Sequence, residues 1–282
     1  MALRINFNYA SLQAQRGLGG AEKIAQRAGS QLSSGLRINQ AADDTAGMSI
    51  SETLKNQVRG LNMAHRNVQD ASSMLQVAEG ALTETHSLLA RMRELAVQAS
   101  NDTLQLSDRL NANAEFTALY AEIDRIATTT QFDGIVLLDN SSVASGLTLQ
   151  VGANSGNSLT YTISSSKATN LFANFTAMSA AGTLNVSYQS NASAMISAVD
   201  SAVNTVSGTR ASIGAMQNRF ASATNYLSVA AENTAAANSR VADADIASSM
   251  SELVRAQILQ QAGISVLAQA NQSPALVLQL LR

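Results

Sequence analysis

Residues 61–96 read LNMAHRNVQDASSMLQVAEGALTETHSLLARMRELA, and one period governs the whole stretch. Leu61, Val68, Leu75, Leu82, Leu89 and Ala96 recur every seventh residue, and Ala64, Ala71, Ala78, Thr85 and Met92 fall three places after each. This alternating spacing of three and four is the seam of a coiled coil rather than a generic amphipathic face. At 1.5 Å per residue the stretch alone predicts roughly 50 Å of helix. A second seam runs through Val199, Val206, Ile213, Phe220, Leu227, Thr234 and Val241, with Ala202, Thr209, Met216, Ala223, Ala230 and Ala237 three places on. Large residues in one position of each seam and small ones in the other permit close helix approach, so the simplest packing is N-terminal half against C-terminal half. The expected fold is mainly α: a long antiparallel coiled-coil bundle of N- and C-terminal segments with a small β-hairpin region in the middle.

Working outward, Asp43 and Asp44 precede Thr45 and Ala46, where carboxylates suit the first turn of a helix. After the polar break Ser100-Asn101-Asp102-Thr103, the residues Leu110, Phe116, Leu119, Ile123 and Ile126 share one broad face, predicting a shorter helix packed back on the first. From Phe132 to about Ser190 the period becomes two, as in Leu147-Thr148-Leu149-Gln150-Val151 and Leu159-Thr160-Tyr161-Thr162-Ile163. Asp133-Gly134, Ala153 to Asn157 and Ala181-Gly182 are turn signals between short antiparallel strands. The flanks, residues 1 to about 40 and 245 to 282, are apolar without a clean heptad seam. Ile264, Leu267, Leu278 and Leu281 leave apolar surface on several faces, and burial against other copies is the physical remedy.

Composition narrows the chemistry. The 282 residues suit roughly two domains of about 145 residues. The chain has no Cys and no Trp, two His and one Pro, which excludes thiolate metal sites, thiol catalysis and disulfides. A formal net charge of −2 lacks the basic footprint of a nucleic-acid binder. No apolar run approaches the ~20 residues that span a bilayer. Arg4, Asn6 and Asn8 interrupt the apolar N-terminus, so no cleavable secretory signal is apparent. The expectations are therefore no cofactor, no metal, no nucleic acid and no membrane.

Ser33-Ser34-Gly35-Leu36-Arg37-Ile38-Asn39-Gln40-Ala41-Ala42-Asp43-Asp44, followed by Ala46-Gly47-Met48-Ser49-Ile50, resembles the N-terminal signature of bacterial flagellin. The likeness continues through Arg93 to Ala99, Glu122 to Ile126, Thr130 to Gly134 and Gln150 to Asn154, and returns in Ala262-Gly263-Ile264-Ser265-Val266-Leu267-Ala268-Gln269-Ala270-Asn271-Gln272-Ser273-Pro274. It is strong in both terminal thirds and weak in the middle. The resemblance implies a secreted structural subunit, exported unfolded through the flagellar type III pathway, that polymerises into the extracellular filament driving swimming. It implies that residues 1–42 with 243–282 line the inner tube, that 43–131 with 191–242 form the helical rod, and that 132–190 are a short β region without a large outer domain.

By the same resemblance, Ile5, Leu12, Ile264, Leu267, Leu278 and Leu281 serve polymerisation, and Gly35, Asn39, Asp43 and Asp44 form the turn between shells. Rod packing falls to Leu61, Val68, Leu75, Leu82, Leu89, Val206, Ile213, Phe220 and Leu227. Arg91, Leu95 and Glu115 align with a surface resembling the patch bound by a vertebrate innate immune receptor, although subunit assembly alone accounts for them. The implied partners are further copies of the chain, the export apparatus and its chaperone, and the filament cap and junction proteins. The nearest alternative is a hook–filament junction protein of the same export class; a secreted coiled-coil adhesin would lack the Asn39 to Asp43 run.

Enzymatic readings find no support in spacing. His65 and His86 lie three heptads apart, so they are read as solvated or subunit-contacting residues rather than metal ligands. Asp43 and Asp44, as neighbours on a helix, point about 100° apart, which favours capping over acid/base work. No Gly-x-Ser-x-Gly elbow and no His-Glu-x-x-His motif is present. The chain is expected not to be an enzyme.

Overall fold

The computed structural model describes residues 8–139, 146–173 and 185–280, with side chains up to residue 272. In chain order the elements are α1 (Tyr9–Ser34), α2 (Thr45–Ala99), α3 (Leu106–Thr129), β1 (Gln131–Phe132), β2 (Ile135–Val136), β3 (Leu147–Gln150), β4 (Ser158–Tyr161), a single turn α4 (Ala168–Leu171), α5 (Gln189–Ala242) and α6 (Ile246–Leu280). The fold is mainly α, with two small hairpins among the described residues, as the switch from period seven to period two requires. The chain divides into two compact units, residues 1–58 with 232–282 and residues 59–231.

In the unit of residues 59–231 the two seams meet. Leu75, Leu82, Leu89 and Met92 from α2, and Val199, Val206 and Ile213 from α5, are fully buried in one cluster, and Phe220 is 1% exposed. Their direction is antiparallel: Gln217 donates to Glu79 at 3.0 Å and Arg93 to Asp200 at 2.7 Å. The helix α3 adds Ala112, Phe116, Ile123 and Ala127 to the same core, while Arg109 donates to the carbonyls of Ala99 and Asn101 and ties its start to the end of α2. Leu110 departs from the expected face and is 51% exposed. Ala112 and Phe116 take the inward stripe on this first stretch of α3, so Leu110 lies outside it.

Both hairpins follow their turn chemistry. Between β1 and β2, Asp133 and Gly134 have φ of 49° and 78°, the paired left-handed conformation of a tight primed turn. Strands β3 and β4 pair from Leu147 with Tyr161 to Gln150 with Ser158. This second hairpin rests on the flank of the seam, where Asn67 donates to the Gln150 carbonyl at 3.4 Å and Tyr161 shares a 2.9 Å hydroxyl bond with Ser212. Gly60 permits the approach, because a Cβ there would lie 2.9 Å from that of Ala153. The single turn α4 has no heptad or alternating signature, yet it buries Ala168 and Leu171, and the ring of the adjoining Phe172 packs at a tilt against Tyr120 of α3 with centroids 5.7 Å apart.

Burial at the seam and the tight fit at Gly60 set two expected outcomes. Leu82→Ala removes a fully buried side chain and should destabilise this unit by about 3 kcal/mol. Gly60→Val should cost about 1–3 kcal/mol by pushing the β3–β4 hairpin off α2. Urea unfolding of the unassembled subunit measures both.

Candidate functional site

In the unit of residues 1–58 with 232–282, α1 and α6 run antiparallel. Asn8, whose side-chain oxygen also caps α1 by accepting from Ser11 N–H, donates to the Ala270 carbonyl at 2.8 Å. Leu18 lies against Gly263, and Ser249 meets Gln31 at 3.4 Å. The contact surface is a heptad seam made of small residues: Ala14, Ala21 and Ala28 on α1 against Ser249, Ala256, Gly263 and Ala270 on α6, with Leu18, Leu32, Leu253 and Leu267 between them. Sequence reading missed this seam because it sought large residues. The spacing of seven in Ala14, Ala21 and Ala28 is the signal that could have found it.

Because the seam consumes mainly alanine, most large apolar side chains of α6 remain outside. Ile246, Met250, Val254 and Ile258 recur every fourth residue along one bare stripe, between 48% and 60% exposed, and Leu259, Ile264 and Val266 are comparably open. Of the residues expected to serve polymerisation, Leu12 and Leu267 are half-buried and Ile264 is exposed. Ile5 and Leu281 lie outside the described residues, as does the side chain of Leu278.

The segment 35–44 is built by side chains reaching backbone. Gly35, at φ 71°, ends α1 in the left-handed conformation that glycine adopts without Cβ strain. The Asp43 carboxylate accepts from the N–H groups of Asn39 and Gln40 at 3.2 and 3.1 Å, and its other oxygen faces Arg27 at 3.6 Å. Asp44 caps α2 by accepting from Gly47 N–H at 2.8 Å, and a Cβ on Gly47 would strike that carboxylate. The returning chain is tied alongside: Arg37 N–H donates to the Ala242 carbonyl at 2.7 Å, Ala244 N–H to that of Gly35 at 2.9 Å, and the Arg37 side chain to Val241. Asn39, Asp43 and Asp44 are thus held within the segment and the ends of its flanking helices, and of the four expected turn residues it is Gly35 that bonds to the returning chain.

Within the other unit, Leu61, Val68, Leu75, Leu82, Leu89, Val206, Ile213, Phe220 and Leu227 all lie buried in the core. Arg91 bridges Glu115 at 2.8 Å and Glu94 at 2.9 Å on the surface, and the Glu115 bond chiefly raises its guanidinium above the ordinary value. Leu95 does not join them outside: it is 2% exposed and packs in the core. Burial pushes the Tyr161 hydroxyl up, partly offset by its bond to Ser212. Among the described residues no three His, Asp or Glu side chains gather as metal ligands, and no helix is long and apolar enough to cross a membrane.

Two family models match the chain: the bacterial flagellin N-terminal helical region over residues 5–143 and the C-terminal helical region over residues 196–281. The chain is 46% identical to a flagellin of Halalkalibacterium halodurans over 99% of each chain. It is 42% identical to the flagellin of Bacillus subtilis over 99% of this chain and all of that one. A flagellar filament 33 kDa core protein of Treponema phagedenis shares 38% over 99% of each. Among solved structures, the Bacillus cereus flagellin superposes with a TM-score of 0.50 at 32% identity, covering 61% of this chain and 94% of that one. A Vibrio parahaemolyticus chain described as a flagellar hook-associated protein gives a TM-score of 0.58 over 71% of this chain and all of that one, at 15% identity, a likeness of fold alone.

Asp44→Ala should expose the first-turn amides of α2 and cost about 1 kcal/mol, the usual value of a lost carboxylate cap. Hydrogen exchange at Gly47 and its neighbours checks it.

Proposed function

The chain belongs to the bacterial flagellin family as a subunit of the flagellar filament, and we propose that its assembly is carried by the terminal pair α1 and α6. The single observation behind this reading is the bare apolar stripe of α6. A helix whose inner side is already satisfied by α1 keeps Ile246, Met250, Val254 and Ile258 half-exposed, and further copies of the chain are what bury them. A helical lattice needs contacts between unlike surfaces that do not close into a ring, and α1 and α6 present different faces to neighbours.

In this reading residues 1–42 with 243–282 form the inner tube, 43–131 with 191–242 the helical rod around it, and 132–190 a small addition. The crossing at Gly35, Asn39, Asp43 and Asp44 joins the shells, and Ile5, Leu12, Ile264, Leu267, Leu278 and Leu281 make inner-tube contacts. The family is structural, and the chain has no enzymatic role. It leaves the cell by the flagellar type III route with its chaperone, meets cap and junction proteins at the filament ends, and stands outside the cell. The hook–filament junction alternative has weaker support, because the relatives with full coverage are filament proteins.

A second reading concerns the exposed Arg91, Glu94 and Glu115 cluster as a surface for a vertebrate innate immune receptor, with Leu95 supporting it from beneath. Reporter cells exposed to free subunit should respond, and Arg91→Ala should reduce the response; silence at every concentration removes the idea.

Filament growth tests the main reading. Heat-dissociated subunits, cooled and seeded with filament fragments, should regrow long filaments by electron microscopy. Subunits trimmed of residues 1–40 or 260–282 should stay soluble and unpolymerised, and filaments grown from either truncation would overturn it.

A further inference from the structure

Four of the methionines, Met74, Met92, Met195 and Met216, are 0–6% exposed and serve as core filler. Among the described residues two others stand half-open: Met63 at 50% and Met250 at 48%. Their surroundings differ. The Met63 sulfur is in contact with the Arg66 guanidinium on α2. Met250 sits within the stripe of α6, one turn from Ile246 and one turn from Val254, with only apolar neighbours along that line.

We propose that Met250 is an oxidation site that governs entry of the subunit into the filament. The proposal rests on the reading that a second copy of the chain covers this stripe. In the free subunit the thioether is open to a hydroperoxide, the co-reactant. The sulfur lone pair attacks the outer peroxide oxygen, the O–O bond breaks, and a proton completes the departing water or alcohol. An S–O bond forms, the sulfur is oxidised by two electrons to the sulfoxide, and the peroxide is reduced by two. The product is chiral and carries a strong hydrogen-bond acceptor at the centre of a line of isoleucine and valine. Burying that oxygen against a neighbour's apolar surface leaves it without a donor, which disfavours docking. Once a neighbour is in place, the same contact shields the sulfur, so assembled subunits resist what free ones do not. A thioether fits the position because its flexible, polarisable chain fills an irregular contact, and that same chemistry makes the position oxidisable.

The experiment treats free subunits with dilute hydrogen peroxide, locates the added oxygen by peptide mass spectrometry, and follows seeded growth by light scattering and electron microscopy. Wild type and Met63→Leu should lose growth in proportion to Met250 oxidation, with elongation slowed roughly tenfold or more at full conversion. Met250→Leu should grow alike with and without peroxide. Intact filaments given the same peroxide should oxidise Met250 much more slowly than free subunits do. Equal loss of growth in peroxide-treated Met250→Leu, or undiminished growth of wild type with Met250 fully oxidised, overturns the proposal. Equal Met250 oxidation in filament and free subunit does so too. If untreated wild type fails to grow on seeds, the filament reading falls instead, which keeps the two failures distinct.

Discussion

Everything in the unit of residues 59–231 depends on the close approach of α2 and α5 along a seam that alternates large and small side chains. Leu75, Leu82 and Leu89 are wholly excluded from water, and so are Ala78 and Ala96 on the same helix. Burial of each large side chain contributes on the order of 2 kcal/mol, and the alanines bring the helices close enough for that burial to be complete. With the seam formed, α3 and the β3–β4 hairpin find a surface to cover.

A pure heptad seam has a weakness: sliding one helix by seven residues returns large to small with little loss. Polar groups at its edge resist this. Arg93 pairs with Asp200 in this register, and on the other edge the hairpin's Ala153 fits over Gly60. Exposed pairs contribute little stability, so their value here is selection of the register rather than strength.

How much of this could be read from the chain follows from the size of the residues that carry each signal. The rods were legible because Leu, Val, Ile and Phe mark a period of seven against a polar background. The hairpins were legible from Asp133-Gly134 and from alternation in Leu147 to Gln150. The α1–α6 seam was not, because its period of seven is carried by Ala14, Ala21 and Ala28, which stand out little in a chain rich in alanine. The placement of Leu110 outside and Leu95 inside depends on where α3 meets α2, which no local pattern encodes. The turn α4 escaped for a similar reason: four residues have no period, and Phe172 owes its burial to Tyr120, which lies far away in sequence. Among the candidate site residues, the Asp44 cap was foreseeable from cap chemistry, whereas Asp43 does not cap but accepts from the preceding Asn39 and Gln40 N–H groups, and the ties from Arg37 and Ala244 to the returning chain join positions about two hundred residues apart.

Those ties have a mechanical consequence. A single strand linking two parts of a molecule is a swivel, because rotation about one or two backbone bonds relieves any twist applied across it. Here the outgoing strand at Gly35 to Arg37 and the incoming strand at Ala242 to Ala244 are zipped to each other by backbone bonds in both directions. Two strands fastened side by side cannot rotate independently, and a twisting load must shear both hydrogen bonds at once rather than turn one torsion. Within the unit of residues 1–58 with 232–282, such a doubled crossing passes on a twist that a lone strand would absorb.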